Sequence, residues 1–237
     1  MKNIILGFLL TLSVAVSAFA ENEDLFSKVK QLAEKEDAEA QYHLGMFYNN
    51  GIGTPQNIQL AFEWFQKSAA GNDPLGNYKL GCYYSGQGQG FVDIDHEKAI
   101  RYKSIAAKAG YRLAQHDVAG MLFNKGDTEE AIRWLKVAGD QGDFDSLYAL
   151  FNIYYLGKNI EKNNLSAYLY LNLAATMATS EMPPQIKSIM SELSTKISAD
   201  EKNKADKIIS EWKPLPTPLT IRALNGLQTA KDSVAEK

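Results

Sequence analysis

The chain has 237 residues, a net charge of −3, 45% hydrophobic and 22% charged residues, and one cysteine. That length suits one elongated domain with ample core area. Lys and Arg are scattered among Asp and Glu, which excludes the concentrated positive charge a nucleic-acid binder needs, and a lone thiol excludes a disulfide within the chain.

Residues 1–20 read as a secretion signal, with Lys2 as the charged start, an apolar run from Ile4 to Val16, and Ala18-Phe19-Ala20 as a small-x-small cleavage site. The apolar run is shorter than the roughly 20 residues of a membrane span. The expected product therefore starts at Glu21 and is soluble and exported, to a bacterial periplasm. Residues 21–37 follow as a half-repeat, with Leu25 to Glu36 forming one unpaired helix at the N-terminal end of what comes next.

From residue 38 the chain repeats itself. Ala61, Ala99, Ala131 and Ala167 each stand three residues before an aromatic (Trp64, Tyr102, Trp134, Tyr170), at spacings of 38, 32 and 36 residues. A period of this size marks stacked helix–turn–helix units, none of which can bury its apolar face alone. In the first unit Ala40, Leu44, Phe47 and Tyr48 fall at i, i+4, i+7 and i+8, the stripe of an amphipathic helix. Gly51, Gly53 and Pro55 break it, and Ala61, Trp64, Phe65 and Ala69 form the second stripe, ended by Gly71. Mid-helix Gly45 and Gly81 each cost about 1 kcal/mol relative to alanine, so each predicts a neighbour too close for a Cβ. Repeats are expected over about 38–72, 73–111, 112–142 and 143–178, the second with a long glycine-rich loop and the third with a short one.

Repeat signatures fade after residue 178, and 179–237 is expected to be a helical cap on the last repeat. Within it, Ser198-Ala-Asp-Glu201 is a capping box opening a helix that runs to Trp212. A Pro-rich link covers 213–218, and Thr217 with Pro218 starts a last helix ending near Thr229.

Candidate chemistry is sparse. His43, His96 and His116 have no metal-ligand spacing among them. Gly86-Gln-Gly88-Gln-Gly90 follows a helix and lacks the Gly-Lys-Ser/Thr ending of a phosphate loop, so it reads as a flexible connection. Asp93 or Asp95 reads as a helix cap, as does Asn164. Cys82, at the position Met46 holds in the first repeat, reads as a small packed side chain. No catalytic, cofactor or metal residue is assigned, and no enzymatic activity is expected.

The units Ala38-x-Ala40-x-Tyr42-x-Leu44-Gly45-x-x-Tyr48, Gly51-x-Gly53, Ala61-x-x-Trp64 and Ala69-Ala70-Gly71 resemble the Sel1-like repeat family. Tetratricopeptide repeats, with a period of about 34 residues, are the near relation. Glycine loops of varying length favour the Sel1-like reading. The resemblance covers roughly residues 25–178 and implies an all-α, right-handed α-solenoid whose concave surface binds protein. The segment Trp212-Lys-Pro-x-Pro-Thr-Pro-Leu-Thr220 resembles the tail of exported Sel1-like proteins of Gram-negative bacteria, namely immunity proteins paired with phospholipase effectors of type VI secretion. That likeness implies a protein that binds such an effector and occludes it. The alternative is a general envelope scaffold or adaptor, or a host-interaction protein, with no toxin partner. If the first helices of the repeats carry the binding face, positions pointing away from the Leu44–Gly45–Tyr48 core are His43, Met46 and Asn50, with Lys79 and Asn152 their equivalents in later repeats.

Overall fold

The computed structural model describes residues 20–88 and 90–236. The secretion signal read over 1–20 lies outside them apart from Ala20. Among the described residues every regular element is helical. In chain order they are α1 (20–34), α2 (Ala38–Asn50), α3 (Ile58–Ala70), α4 (Pro74–Cys82), α5 (His96–Lys108), α6 (Arg112–Asn124), α7 (Thr128–Asp140), α8 (Phe144–Leu156), α9 (Asn164–Met177), α10 (Pro184–Thr195), α11 (Ala199–Glu211) and α12 (Pro218–Ala235). Two compact units result. The first holds residues up to Ala106 together with Arg222 onward, and the second holds Ala107–Ile221.

Local chemistry sets the helix ends. Asp37, Asn57, Asp73, Asp143 and Asn163 each accept a backbone N–H of the following first turn, removing one of the orphan donors at a helix start. Asp95 does the same for α5 through the Lys98 N–H, at 2.9 Å. Asn163, one residue earlier than expected, caps α9. Ser198 and Glu201 form the reciprocal capping box. Gly51 and Gly157 end α2 and α8 at φ 70° and 66°, a left-handed backbone that glycine adopts without penalty.

In the first unit α2 pairs with α3, and α3 with α4. Ala61 of α3 is fully buried, and a Cβ on Gly45 of α2 would lie 2.6 Å from Phe65 Cε1. Gly81 is likewise crowded, by the Lys103 Cγ at 2.5 Å and the Ala99 carbonyl at 3.1 Å. The missing side chains let neighbouring helices approach, and a ring or aliphatic stem fills the hollow. The glycine-rich connection expected from Gly86 starts slightly later: the helix continues as one π-helical turn over Tyr83–Gln87, in which Gly86 leaves the helical region at φ 118°, and the connection to α5 follows from Gly88. Tyr83 is buried there and donates its hydroxyl to Asn49 Oδ1 at 3.0 Å.

The second unit repeats the plan through α6–α7 and α8–α9, with Ala131 and Ala167 fully buried at the same helix position as Ala61. Beyond α9 the cap read over 179–237 divides. Helices α10 and α11 do pack on α9, burying Leu193 and Ala205 against Phe151, Tyr168 and Leu171. The Pro-rich link is pinned within the same unit: Leu215 N–H donates to the Asp140 carbonyl at 2.9 Å, Thr217 Oγ1 to the Gly110 carbonyl at 2.9 Å, and Thr220 Oγ1 lies 2.7 Å from Gln141 Oε1.

The last helix departs from expectation. It runs to Ala235, well past Thr229, and from Arg222 on it belongs to the first unit. Ala230 joins the core formed by Leu25, Val29, Ala33, Ala40, Leu44 and Phe47. Lys231 pairs with Glu21 near the start of α1, while Arg222 pairs with Glu39 just beyond its end, so α12 runs antiparallel to α1. The half-repeat helix thus acquires the hairpin partner it lacks in sequence.

The glycines give a direct test. Gly45→Ala must displace Phe65 and should destabilise the protein by about 1–3 kcal/mol. Gly120→Ala meets nothing within 4 Å and should stabilise by up to about 1 kcal/mol through helix propensity. Urea unfolding midpoints of the two variants would show shifts of opposite sign.

Candidate functional site

The first helices of the repeats place homologous side chains in register. Leu44, Leu80, Val118 and Leu150 are the buried anchors, and the residues one before and two after each anchor stand beside it on the helix. In the first repeat those neighbours are His43 and Met46, and in the fourth they are Ala149 and Asn152.

His43, Met46 and Asn50, read as partner-facing, do come together, but not on an open surface. They line a small cavity of about 160 Å³ whose other wall is Ala223, Gly226 and Leu227 of α12. His43 is only 2% exposed, which corrects the expectation that it points to solvent. Its Nε2 makes no hydrogen bond, and Glu39 Oε1 lies 3.7 Å away. Arg222 reaches from α12 to Asp73 at 2.5 Å and Glu39 at 3.6 Å, both at helix N-termini. Lys79 lines neither this cavity nor the groove described next. It is half-buried, and burial holds its pKa below the ordinary 10.5, with nearby Cys82 acting in the opposite sense.

Asn152 lies in the open groove of the second unit, a space of about 350 Å³ between α6 and α8. Gly120, Phe123, Ala149, Asn152, Leu156 and Lys158 form its walls and rim. Leu156 is 56% exposed, and Lys158 sits 5.3 Å over the Phe123 ring. Positions that carry His43 and Met46 in the first repeat carry Ala149 and Asn152 here, and Gly120 replaces Met46 on the facing helix, so the groove is wider. Unlike Gly45 and Gly81, Gly120 has no neighbour within 4 Å of where a Cβ would stand. Its sequence signal was a mid-helix glycine outside the Leu-Gly pair; Phe123, Leu156 and Lys158 gave none, because their exposure depends on small residues on the opposing helix.

His116 lines the groove's inner end. Its Nδ1 lies 2.9 Å from Ser146 Oγ and 3.3 Å from Asp143 Oδ2. Serine, histidine and aspartate meet here without forming a relay: both partners approach the same ring nitrogen, whereas nucleophilic catalysis needs the acid on one nitrogen and the hydroxyl on the other. The Asp143 contact raises the His116 pKa above 6.5, against the opposing effect of burial. Burial alone would raise Asp143, but hydrogen bonds from His116 and Ser146 outweigh it and leave its pKa below 3.8. Among the described residues no group of three or more His, Cys, Asp or Glu side chains is placed to hold a metal ion, and no helix is long and apolar enough to cross a membrane.

Helix hairpins, with a groove between the successive first helices α6 and α8, define an all-α helical-repeat scaffold. A Sel1 repeat profile matches residues 38–73, 74–111, 112–143 and 144–178, and the chain belongs to the Sel1 repeat family. It is similar to a protein of Neisseria meningitidis serogroup B described as uncharacterized, at 30% identity over 154 residues, 65% of this chain and 32% of the relative. The chain thus spans about a third of that relative's length. Its fold is similar to that of a Sel1 repeat protein from Oxalobacter formigenes, with a TM-score of 0.61 at 23% identity, over 81% of this chain and 80% of that one. A structure of an immunity protein from Pseudomonas aeruginosa matches over 86% of this chain and 80% of that one, with a TM-score of 0.48 at 16% identity.

The His116–Asp143 contact predicts a pH-dependent stability. A histidine with a raised folded pKa contributes fully below its unfolded value of 6.5 and loses that contribution as pH rises through the folded value. The urea-midpoint gap between the parent protein and His116→Gln should therefore be largest near about pH 6 and shrink toward about pH 9. An NMR titration should place the His116 pKa above 6.5.

Proposed function

We propose that this protein is an exported, non-enzymatic binding scaffold of the bacterial periplasm, and that it serves as an immunity protein neutralising a phospholipase effector of type VI secretion. The observation that carries the binding role is the groove between α6 and α8. Its apolar walls (Phe123, Ile153, Leu156) supply burial energy, and Asn124, Asn152 and Lys158 supply directional contacts around them. Such a surface grips a protein without needing a reactive group. The narrower role is supported by the residue 1–20 signal pattern and by the resemblance of the Trp212–Thr220 segment to the tails of exported immunity proteins. The periplasm is where a delivered phospholipase meets its lipids, so an inhibitor must be exported to meet the enzyme. Binding across the lipase's cleft, or across the surface by which it approaches the membrane, suffices to block it.

The test is co-expression with a type VI secretion phospholipase effector, taken first from the genes that adjoin this one if any encodes such an enzyme. A stable complex should co-elute on size exclusion, and lipid hydrolysis should fall to zero at stoichiometric addition. Gly120→Arg, which fills the groove, should weaken the complex at least about tenfold while leaving the helical circular dichroism unchanged. Recovery of several unrelated envelope proteins and no lipase would instead favour a general adaptor and remove the immunity role.

A further inference from the structure

From Arg222 on, helix α12 lies on α1 and α2 over a seat that it fills imperfectly. Two buried nitrogens under or within this contact, His43 Nε2 and Arg222 Nε, have no hydrogen-bond acceptor. The cavity between His43 and Met46 on α2 and Ala223, Gly226 and Leu227 on α12 stays open. The helix itself is broken at Gly226, where φ 21° and ψ −85° leave the helical region. Small residues, Ala223 and Gly226, face the cavity, and Ala230 is fully buried in the core. Leu227 also lines the cavity yet is 40% exposed, and Leu224 is 63% exposed. Contrast the α2–α3 contact, where Gly45 receives Phe65 with no room for a methyl group. An unsatisfied buried polar group and an unfilled cavity each lower the stability of the covered state, so this contact is weaker than those within the repeats.

The attraction that holds α12 is specific. Asp73 has a nearly buried side chain and Glu39 a partly buried one, and both stand at helix N-termini where Arg222 meets them. On the same stretch Ala230 of α12 packs into the apolar cluster that includes Ala40, Leu44 and Phe47. We infer that residues 222–235 are a displaceable cover, and that the seat beneath is an interaction surface for a partner helix that carries an arginine near its N-terminal end. The acidic pair selects the cation. Displacement proceeds by local opening, with the partner helix trapping the uncovered state. This surface lies in the first unit and does not depend on the lipase assignment.

Hydrogen–deuterium exchange on the full chain tests the cover. Amides of Leu224–Ala235 should exchange at least about tenfold faster than those of α2 and α3. Arg222→Ala should speed them by a further factor of about ten with α3 unchanged, and Arg222→Lys should restore part of the protection. His43→Leu, which replaces the unpaired nitrogen by apolar atoms, should slow them several-fold. The seat is tested with a fluorescent peptide of residues 218–235. It should bind full-length Arg222→Ala at least about tenfold more tightly than the parent protein, and His43→Leu less tightly than the parent. Exchange of α12 no faster than α2 in the parent protein would overturn the displaceable cover, and failure of the peptide to bind the Arg222→Ala protein would overturn the interaction surface.

Discussion

Everything in this fold depends on a small residue of one helix meeting a large one of its neighbour. Ala61, Ala99, Ala131 and Ala167 are all fully buried, and Gly45 and Gly81 leave no room for a Cβ. Close approach of the backbones brings dispersion contacts along the whole hairpin, and interiors packed to this density tolerate neither a void nor an added methyl. Aromatic rings then complete the fit, as in the stacked Tyr84–Tyr102 and Tyr154–Tyr170 pairs at 5.7 and 5.8 Å. A repeat cannot bury its apolar face alone, so the ends of a repeat stack need covering.

The same rule accounts for where surface is left over. Where the register supplies His43 and Met46, the space beside α2 is small and lies against α12. Where it supplies Gly120, Ala149 and Asn152, the space between α6 and α8 is open. A helical glycine that crowds nothing weakens its own helix without allowing a closer packing, and so marks a place where the chain presents an opening. Lys158 and Phe123 then put a cation and a ring at the rim of an otherwise apolar groove. Variation at two positions of one repeat thus separates a covered surface from an accessible one.

Much of this was legible in residue order. Helix starts followed from Asp95 and Ser198, because a capping side chain acts within three residues of its own position, and Asp37 and Asp73, not singled out in the sequence, act by the same local rule. The hairpins followed from a period that repeats apolar stripes and glycine stops. Asn163 replaced Asn164 as a cap because both can accept a first-turn N–H and only the backbone angle at the boundary chooses between them. The partner-facing set was legible only in part. His43, Met46 and Asn50 do share one face, as helical spacing requires, but spacing carries no information about what else lies against that face.

The amino-acid sequence by itself determined the all-α repeat architecture, the hairpin boundaries and the buried alanine ladder, since all of these arise from contacts within one or two repeats. Tertiary structure alone decided that α12 packs with α1 and α2, and so buries His43. Its apolar pattern would suit any exposed repeat end. The choice came from long-range pairings, Arg222 with Asp73 and Lys231 with Glu21, between residues with no local relation along the chain.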